Sequence, residues 1–369
     1  EVVLGLKALE QVEHLRLRGL VERICDGSDL PAGAVEVVYG GKDVGSACID
    51  ETPDKIFFTG SEAAGKAIMR RAADDLIPVE LELGGKDPFV VFDDANVNRT
   101  VNGALWGSNT NSGQTCTSVE RIFVQQSIYP EFVSEFKREV EKLKTPATLG
   151  DSYHDKAADR GCMTAEFQIA KLEEQIEDAV AKGARIECGG KREPGSHHFP
   201  PTLITGVTPD MKIYYEESFG PVATVMAFQD EAEAIRLAND SPYGLSASVW
   251  SNDLRRADRV ARAILTGNVS INNVLATQGN AALPFGGVKK SGMGRYKGAH
   301  GLYSFSNIKS IMVDQNSGRY EPIWYPYTEA KYALIDQLVV GSFSGGVVGL
   351  LKTLVAGIRL QLMEKKSHY

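Results

Sequence analysis

Residues 78 to 92 read Pro78-Val79-Glu80-Leu81-Glu82-Leu83-Gly84-Gly85-Lys86-Asp87-Pro88-Phe89-Val90-Val91-Phe92. Pro78 to Leu83 leads into a glycine pair, and Pro88 to Phe92 beyond it forms a short apolar strand, the pattern of strands separated by a turn. Glycine accepts backbone angles that other residues resist, so Gly84-Gly85 is also a natural domain crossing. Upstream, Leu15 to Cys25 has helical spacing and Ala34 to Tyr39 alternates like a strand. Asp54 to Thr59 then reads as a strand, Gly60-Ser61 as a turn, and Glu62 to Ala73 as a helix of good helix formers. Downstream, helices are expected over Asn96 to Asn109, Pro130 to Leu143, Ala165 to Lys182, Ala232 to Asn239 and Leu254 to Ile264. Strands are expected over Arg121 to Gln125, Ala184 to Glu187, Pro221 to Phe228 and Ser246 to Ser251. Strands alternating with helices predict an α/β fold, its sheet mostly parallel and covered on both faces.

The 369 residues are enough for two domains, and 43% hydrophobic with 24% charged residues is the balance of a folded globular chain. A net charge of -8 without Lys/Arg clusters argues against nucleic acid as a partner. The five cysteines are odd in number, scattered and never spaced CxxC, which predicts neither a disulfide framework nor a zinc site. They fit a reducing compartment, cytoplasmic or other. No HxxxH or HExxH spacing occurs, and no metal is expected.

Two residues carry candidate chemistry. Cys116 follows the small turn Asn111-Ser112-Gly113-Gln114-Thr115, the uncrowded setting a thiol nucleophile needs, with amides nearby to hold an oxyanion. A lone cysteine is more often a small packed hydrophobe. Glu82 stands between Leu81 and Leu83 at the mouth of the glycine turn, where apolar company disfavours its charge and suits it to act as a general base. An isolated Glu at a strand end is more often merely solvated, and Glu80 competes with it for the role.

Taken together, Glu82 to Lys86 (ELGGK) and Gly113 to Cys116 (GQTC), with Cys116 34 positions after Glu82, resemble the signatures of the aldehyde dehydrogenase superfamily. The resemblance runs from about Lys7 to Val313. It includes Phe58-Thr59-Gly60-Ser61 with Gly65, similar to the family's cofactor turn, and Lys7-Ala8-Leu9-Glu10, similar to its ribose-binding KxxE segment. It continues through Glu217-Ser218-Phe219-Gly220-Pro221 and the run from Pro284-Phe285-Gly286-Gly287 to Gly294-Arg295. The resemblance implies a partial Rossmann-type cofactor domain over 1–84, a catalytic domain over 85–305 and an oligomerisation strand over 306–316. It implies Cys116 as nucleophile, Glu82 as base, and a cofactor site of Lys7, Glu10, Gly60, Ser61, Gly65, Leu83, Glu217 and Phe219. The expected cofactor is NAD, with NADP possible, and the expected substrate a small-molecule aldehyde, oxidised to an acid through a thiohemiacetal and a thioester. A homodimer or homotetramer is expected.

Two departures stand beside these matches. The family's oxyanion-hole Asn would precede Glu1, which leads to the expectation of an amino-terminally shortened chain; a catalytically weak scaffold is the alternative if that region is truly absent. Ala299 stands where many members carry a proton-releasing Glu, leaving Glu82 as the main base candidate. Transfer of the acyl group to coenzyme A is a second alternative, which Glu82 disfavours because CoA-acylating members tend to lack that base. The 22 residues from Gly60 to Glu82, with Trp324 to Thr328, look closest to the branch acting on fatty and aromatic aldehydes. The segment 317–369 forms an extension, partly helical. Its uncharged run Gln337 to Leu351 is too short to span a bilayer comfortably. With Lys352, Arg359, Lys365 and Lys366 it is a candidate for membrane-surface association, although a buried oligomer contact is the preferred role.

Overall fold

The computed structural model describes residues 2–6, 20, 23–25, 27–31, 33–144, 158–192, 194–314, 321 and 324–366. Lys7 and Glu10 lie outside these, as does most of the expected helix from Leu15; residues 23–25 are helical. The chain forms two compact units, residues 1–307 and 308–369.

In the first unit β1 (Val2–Leu6) pairs in parallel with β2 (Val35–Tyr39), and α1 (Lys42–Asp50) follows. Next come β3 (Ile56–Thr59), α2 (Glu62–Ala73) and β4 (Val79–Glu82), with β4 parallel to β3. Beyond the glycine pair, β5 (Asp87–Val91), α3 (Val97–Asn109), β6 (Val119–Gln125), α4 (Tyr129–Val140) and α5 (Glu166–Ala181) follow in turn. They lead to β7 (Arg185–Cys188), β8 (Thr202–Thr205), α6 (Lys212–Tyr215), β9 (Val222–Phe228) and α7 (Glu231–Asn239). The unit closes with β10 (Ser246–Trp250), α8 (Leu254–Ala263), β11 (Asn268–Ile271), α9 (Ala276–Gly279), β12 (Gly292–Met293) and α10 (Gly298–Ser304).

One sheet has seven strands in the order β11-β10-β5-β6-β9-β8-β7, all parallel except for the β7–β8 pair. A second has the order β12-β4-β3. The glycine pair thus lies between a strand of one sheet and a strand of the other, and β12 returns to run antiparallel beside Leu81 and Glu82. The expected α/β class is what these pairings give. Four strands, β1, β8, β11 and β12, were not foreseen. β8 and β11 have four residues each and β12 two, which leaves little period-two signal to read.

Period-two geometry explains the unbroken apolar run of β5. Phe89 and Val91 point into a core with Val101 and Ala104 of α3 and Phe132 and Phe136 of α4. Val90 and Phe92 point the other way, into a core with Leu172 and Ile176 of α5 and Ala257 and Val260 of α8. A strand covered on both faces has no polar side to show. Side-chain caps start the helices where the chain turns: Ser61 accepts from Ala64 N–H, Asn96 from Arg99 N–H and Asp253 from Arg255 N–H.

A buried ion pair ties the segments at the start of the sheet's central strands, β5 and β6. Lys86 Nζ donates to Glu120 Oε2 at 2.6 Å and to Ser218 Oγ at 2.9 Å. The same carboxylate accepts from the backbone N–H groups of Ser218 at 2.8 Å and Phe219 at 2.9 Å. Both Lys86 and Glu120 are 1% exposed. Beside them Arg121 donates to Lys86 O and to the carbonyls of Leu237, Ala238 and Asp240, capping the negative end of α7. Lys86→Met would leave Glu120 buried without its counter-charge, lowering unfolding free energy by about 3–5 kcal/mol in urea denaturation; a loss below about 1 kcal/mol would show that the pair does not hold the fold.

Candidate functional site

Cys116 stands after a tight bend. α3 ends at Asn109, and Asn111 (φ 51°), Ser112 (φ 55°) and Gly113 (φ 68°) then run through left-handed backbone. Left-handed angles cost little only for glycine, so Asn111 and Ser112 need support. Asn111 Nδ2 donates to Gln114 O at 3.0 Å, and Ser112 Oγ to Gly161 O at 2.7 Å. Gln114 locks the far side, its Oε1 accepting from Thr164 N–H and hydroxyl and its Nε2 donating to Cys162 O. A Cβ on Gly113 would overlap the Gly220 carbonyl. Only glycine lets the Glu217–Pro221 segment pass this close.

Glu82 ends β4, between Leu81 and Leu83, all three buried. Its backbone is held on two sides: β12 runs antiparallel beside it, and Gly60 N–H donates to its carbonyl at 3.0 Å. Burial pushes the Glu82 carboxyl up to about 7, against the opposing pull of Arg295, the Gly287 N–H and Lys297; Glu80 adds to the rise. Glu80, on the same strand face, is also buried, but Lys55 pairs with it at 2.7 Å.

The Cys116 thiol is pushed up to about 12, first by burial, then by the carboxylates of Asp87, Glu82 and Glu217; its own backbone N–H pulls the other way. The thiol and Glu82 therefore feel one another's charge, and Tyr296 feels both. Contact runs through the glycine pair as well: a Cβ on Gly85 would overlap the Cys116 carbonyl and come within 3.0 Å of Asp87 Oδ1. The structure thus brings together the two residues that the sequence singled out for chemistry.

The residues expected to hold a cofactor divide into two groups. Gly60 and Ser61 open α2 on the protein surface, where the first-turn amides have no partner within the helix. A Cβ on Gly65 would lie 2.7 Å from Leu83 Cδ2, so this glycine lets α2 close onto the strand end that carries Glu82. Glu217 Oε1 accepts from Gly85 N–H at 3.0 Å, and a Cβ on Gly84 would overlap that carboxylate. Burial, with help from Glu120, pushes Glu217 up to about 7. Phe219 adopts φ 50°, a left-handed angle for a bulky residue, held by its N–H on Glu120. An exposed helix amino end on a glycine turn, with a carboxyl folded over the adjoining glycine pair, fits a nucleotide carrying phosphates and hydroxyls. Among the described residues no three His, Cys, Asp or Glu side chains gather to hold a metal.

Asp87 and Tyr296 were missed by sequence reasoning. Asp87 is 3% exposed; its Oδ1 accepts from Ser246 N–H at 3.1 Å while Oδ2 has no hydrogen-bond partner, and burial holds the carboxyl well above its usual range. A charged residue opening an apolar strand was the available signal. Tyr296 pairs with Phe285, 11 residues earlier, by mutual backbone hydrogen bonds, and no residue pattern between them points to that contact.

Residues 9 to 311 match the aldehyde dehydrogenase family, and the chain belongs to it. It is 45% identical over 304 residues to a 4,4'-diapolycopene aldehyde oxidase of Methylomonas, covering 82% of this chain and 56% of that protein. To a succinate-semialdehyde dehydrogenase [NADP(+)] of Escherichia coli it is 39% identical over 287 residues, 77% of this chain and 58% of the relative. Its fold is similar to a crystal structure of Staphylococcus aureus betaine aldehyde dehydrogenase in complex with NAD+, with TM-score 0.74 and 35% identity over 82% of this chain and 59% of that one. An NAD+ complex of a Bacillus cereus aldehyde dehydrogenase gives TM-score 0.78 at 34% identity, over 85% and 62% of the two chains. The chain therefore spans less than two thirds of the length of each of these relatives.

The raised thiol has a direct consequence. With iodoacetamide at pH 8, Cys116 is expected to alkylate at least about tenfold more slowly than an unperturbed peptide cysteine, whose pKa is about 8.5, and its rate should still climb at pH 10. Peptide mass mapping measures this. A rate that plateaus below pH 8 would mean that the carboxylates around the thiol do not act on it.

Proposed function

We propose that the chain carries the catalytic machinery of an NAD(P)-dependent aldehyde dehydrogenase that oxidises an aldehyde to a carboxylic acid. The observation that supports this reading best is a buried carboxyl, Glu82, poised near neutrality within electrostatic reach of the Cys116 thiol. Cys116 attacks the aldehyde carbon as a thiolate, its proton leaving to a nearby base, and the oxyanion that forms takes the Cys116 backbone N–H. Gly60, Ser61, Gly65, Leu83, Glu217 and Phe219, and in the sequence reading also Lys7 and Glu10, would hold NAD(P), which when bound would supply the hydride acceptor and so leave the carbon on Cys116 as a thioester. Glu82 in its charged form then takes a proton from water, which adds to the thioester carbon. The C–S bond breaks, freeing the acid and returning the sulfur.

The proposed domain crossing is Gly84-Gly85, with 1–84 on the cofactor side and 85–305 on the catalytic side. Residues 308–313 form no strand within this chain and expose Ile308, Ile311, Met312 and Val313. Such a segment suits pairing with the sheet of a second copy, giving a homodimer or homotetramer. We read the carboxyl-terminal unit as associated with a membrane surface.

Formation of NADH or NADPH by the native full-length protein, with aliphatic and aromatic aldehydes and with or without coenzyme A, tests the reaction. Turnover without coenzyme A is expected; turnover only in its presence would replace hydrolysis by acyl transfer. Cys116→Ala should lose all turnover. Glu82→Gln should release one equivalent of reduced cofactor and stall as a thioester visible by intact mass. Because the base acts deprotonated, hydrolysis should rise with pH through about 7, the value to which burial lifts Glu82. A pH profile unchanged by Glu82→Gln would place the base elsewhere.

A further inference from the structure

The carboxyl-terminal unit contains α11 (Glu329–Phe343) and α12 (Gly346–Lys366), which pack as an antiparallel hairpin. Small residues set their spacing. A Cβ on Gly341 would lie 2.6 Å from Thr353 Oγ1, and one on Gly349 would lie 2.8 Å from Gly341 O. Gly349, Ala356 and Leu360 are the buried residues of α12 and mark its inward seam. Opposite that seam, at the spacing of 3.6 residues per turn, stand Leu351, Leu354, Val355, Ile358 and Leu362, all exposed. Lys352 and Arg359, also exposed and seven residues apart, run along one edge of this apolar face. On the outward side of α11 the same spacing places two exposed acidic residues, Glu329 and Asp336, among exposed Tyr332, Val340 and Phe343.

Apolar surface of this extent facing outward requires a cover. α12 is long and apolar enough to cross a membrane by length and composition alone. Its charges argue against crossing. Lys352 and Arg359 fall within the apolar stretch rather than at its ends, so a spanning helix would carry both into hydrocarbon, whereas a helix lying flat keeps them at the headgroups. The acidic residues of α11 would then face water. Exposed Trp324 and Tyr325, near the open end of the hairpin, are the ring types that settle at a membrane–water interface.

We propose that the hairpin is an in-plane anchor for an anionic bilayer, with the apolar face of α12 among the upper acyl chains, Lys352 and Arg359 against lipid phosphates, and α11 on the aqueous side. This rests on the reading of the carboxyl-terminal unit as membrane-associated, and specifies the helix, the face and the lipid charge. An active site held at the surface by such an anchor would meet aldehydes dissolved in the bilayer, the long apolar ones, before those free in water.

Flotation of the whole chain with vesicles of phosphatidylcholine containing phosphatidylglycerol, and of phosphatidylcholine alone, tests lipid charge. Binding should favour the anionic vesicles, and K352Q/R359Q should weaken it roughly tenfold or more, given about 1 kcal/mol for each basic residue at such a surface. Orientation is read by a membrane-impermeant maleimide on single-cysteine variants, in which the five native cysteines, all outside 308–369, are replaced by serine. With vesicles bound, Asp336→Cys should label and Ile358→Cys should be protected. Protection of both would mean insertion of the whole hairpin and overturn the in-plane anchor while leaving membrane association intact. Absence of vesicle binding, or protection of Ile358→Cys without lipid in a soluble oligomer, would overturn membrane association itself.

Discussion

The ion pair of Lys86 with Glu120 is the constraint on which the site depends. Two charges at 1% exposure lose nearly all their hydration, and neither is tolerable without the other. Desolvation lowers Lys86 from its ordinary value while Glu120 restrains it. The pair is also satisfied beyond the two charges, because the carboxylate takes the backbone of Ser218 and Phe219 and the ammonium takes the Ser218 hydroxyl. Three segments far apart in the chain thereby meet at one point: the strand after the glycine turn, the strand after Cys116, and the segment carrying Glu217. Displacing any one of them would uncover a buried charge.

Around that point the glycines act as spaces. Gly84 makes room for the Glu217 carboxylate, Gly85 for the Cys116 carbonyl, Gly113 for Gly220 and Gly65 for Leu83. In each case a methyl group would collide with a neighbour bearing on Cys116, Glu82 or the cofactor face. The short signatures visible in the sequence are thus the two halves of these contacts, a missing side chain in one segment and the atom that fills its place in another.

This explains what the sequence revealed and what it hid. The glycine pair, the carboxyl between leucines and the cysteine after a bend were legible because each is local. The fully buried β5 was legible because a strand covered on both faces is an unbroken apolar run. The partners of Asp87 and Tyr296 were not legible, since they depend on chain returns of more than 150 and about 10 residues respectively, to Ser246 and Phe285. The two-residue β12 escaped notice because its pairing with Glu82 supplies its only reason to be a strand.

The carboxylates that raise Cys116 have an effect outside any reaction cycle. Oxidants attack sulfur chiefly as the thiolate. A sulfur kept protonated by burial and by Asp87, Glu82 and Glu217 is a poor target for peroxide, even though it is partly open to solvent. The same arrangement that makes this cysteine slow towards alkylation at rest also slows its reaction with peroxide.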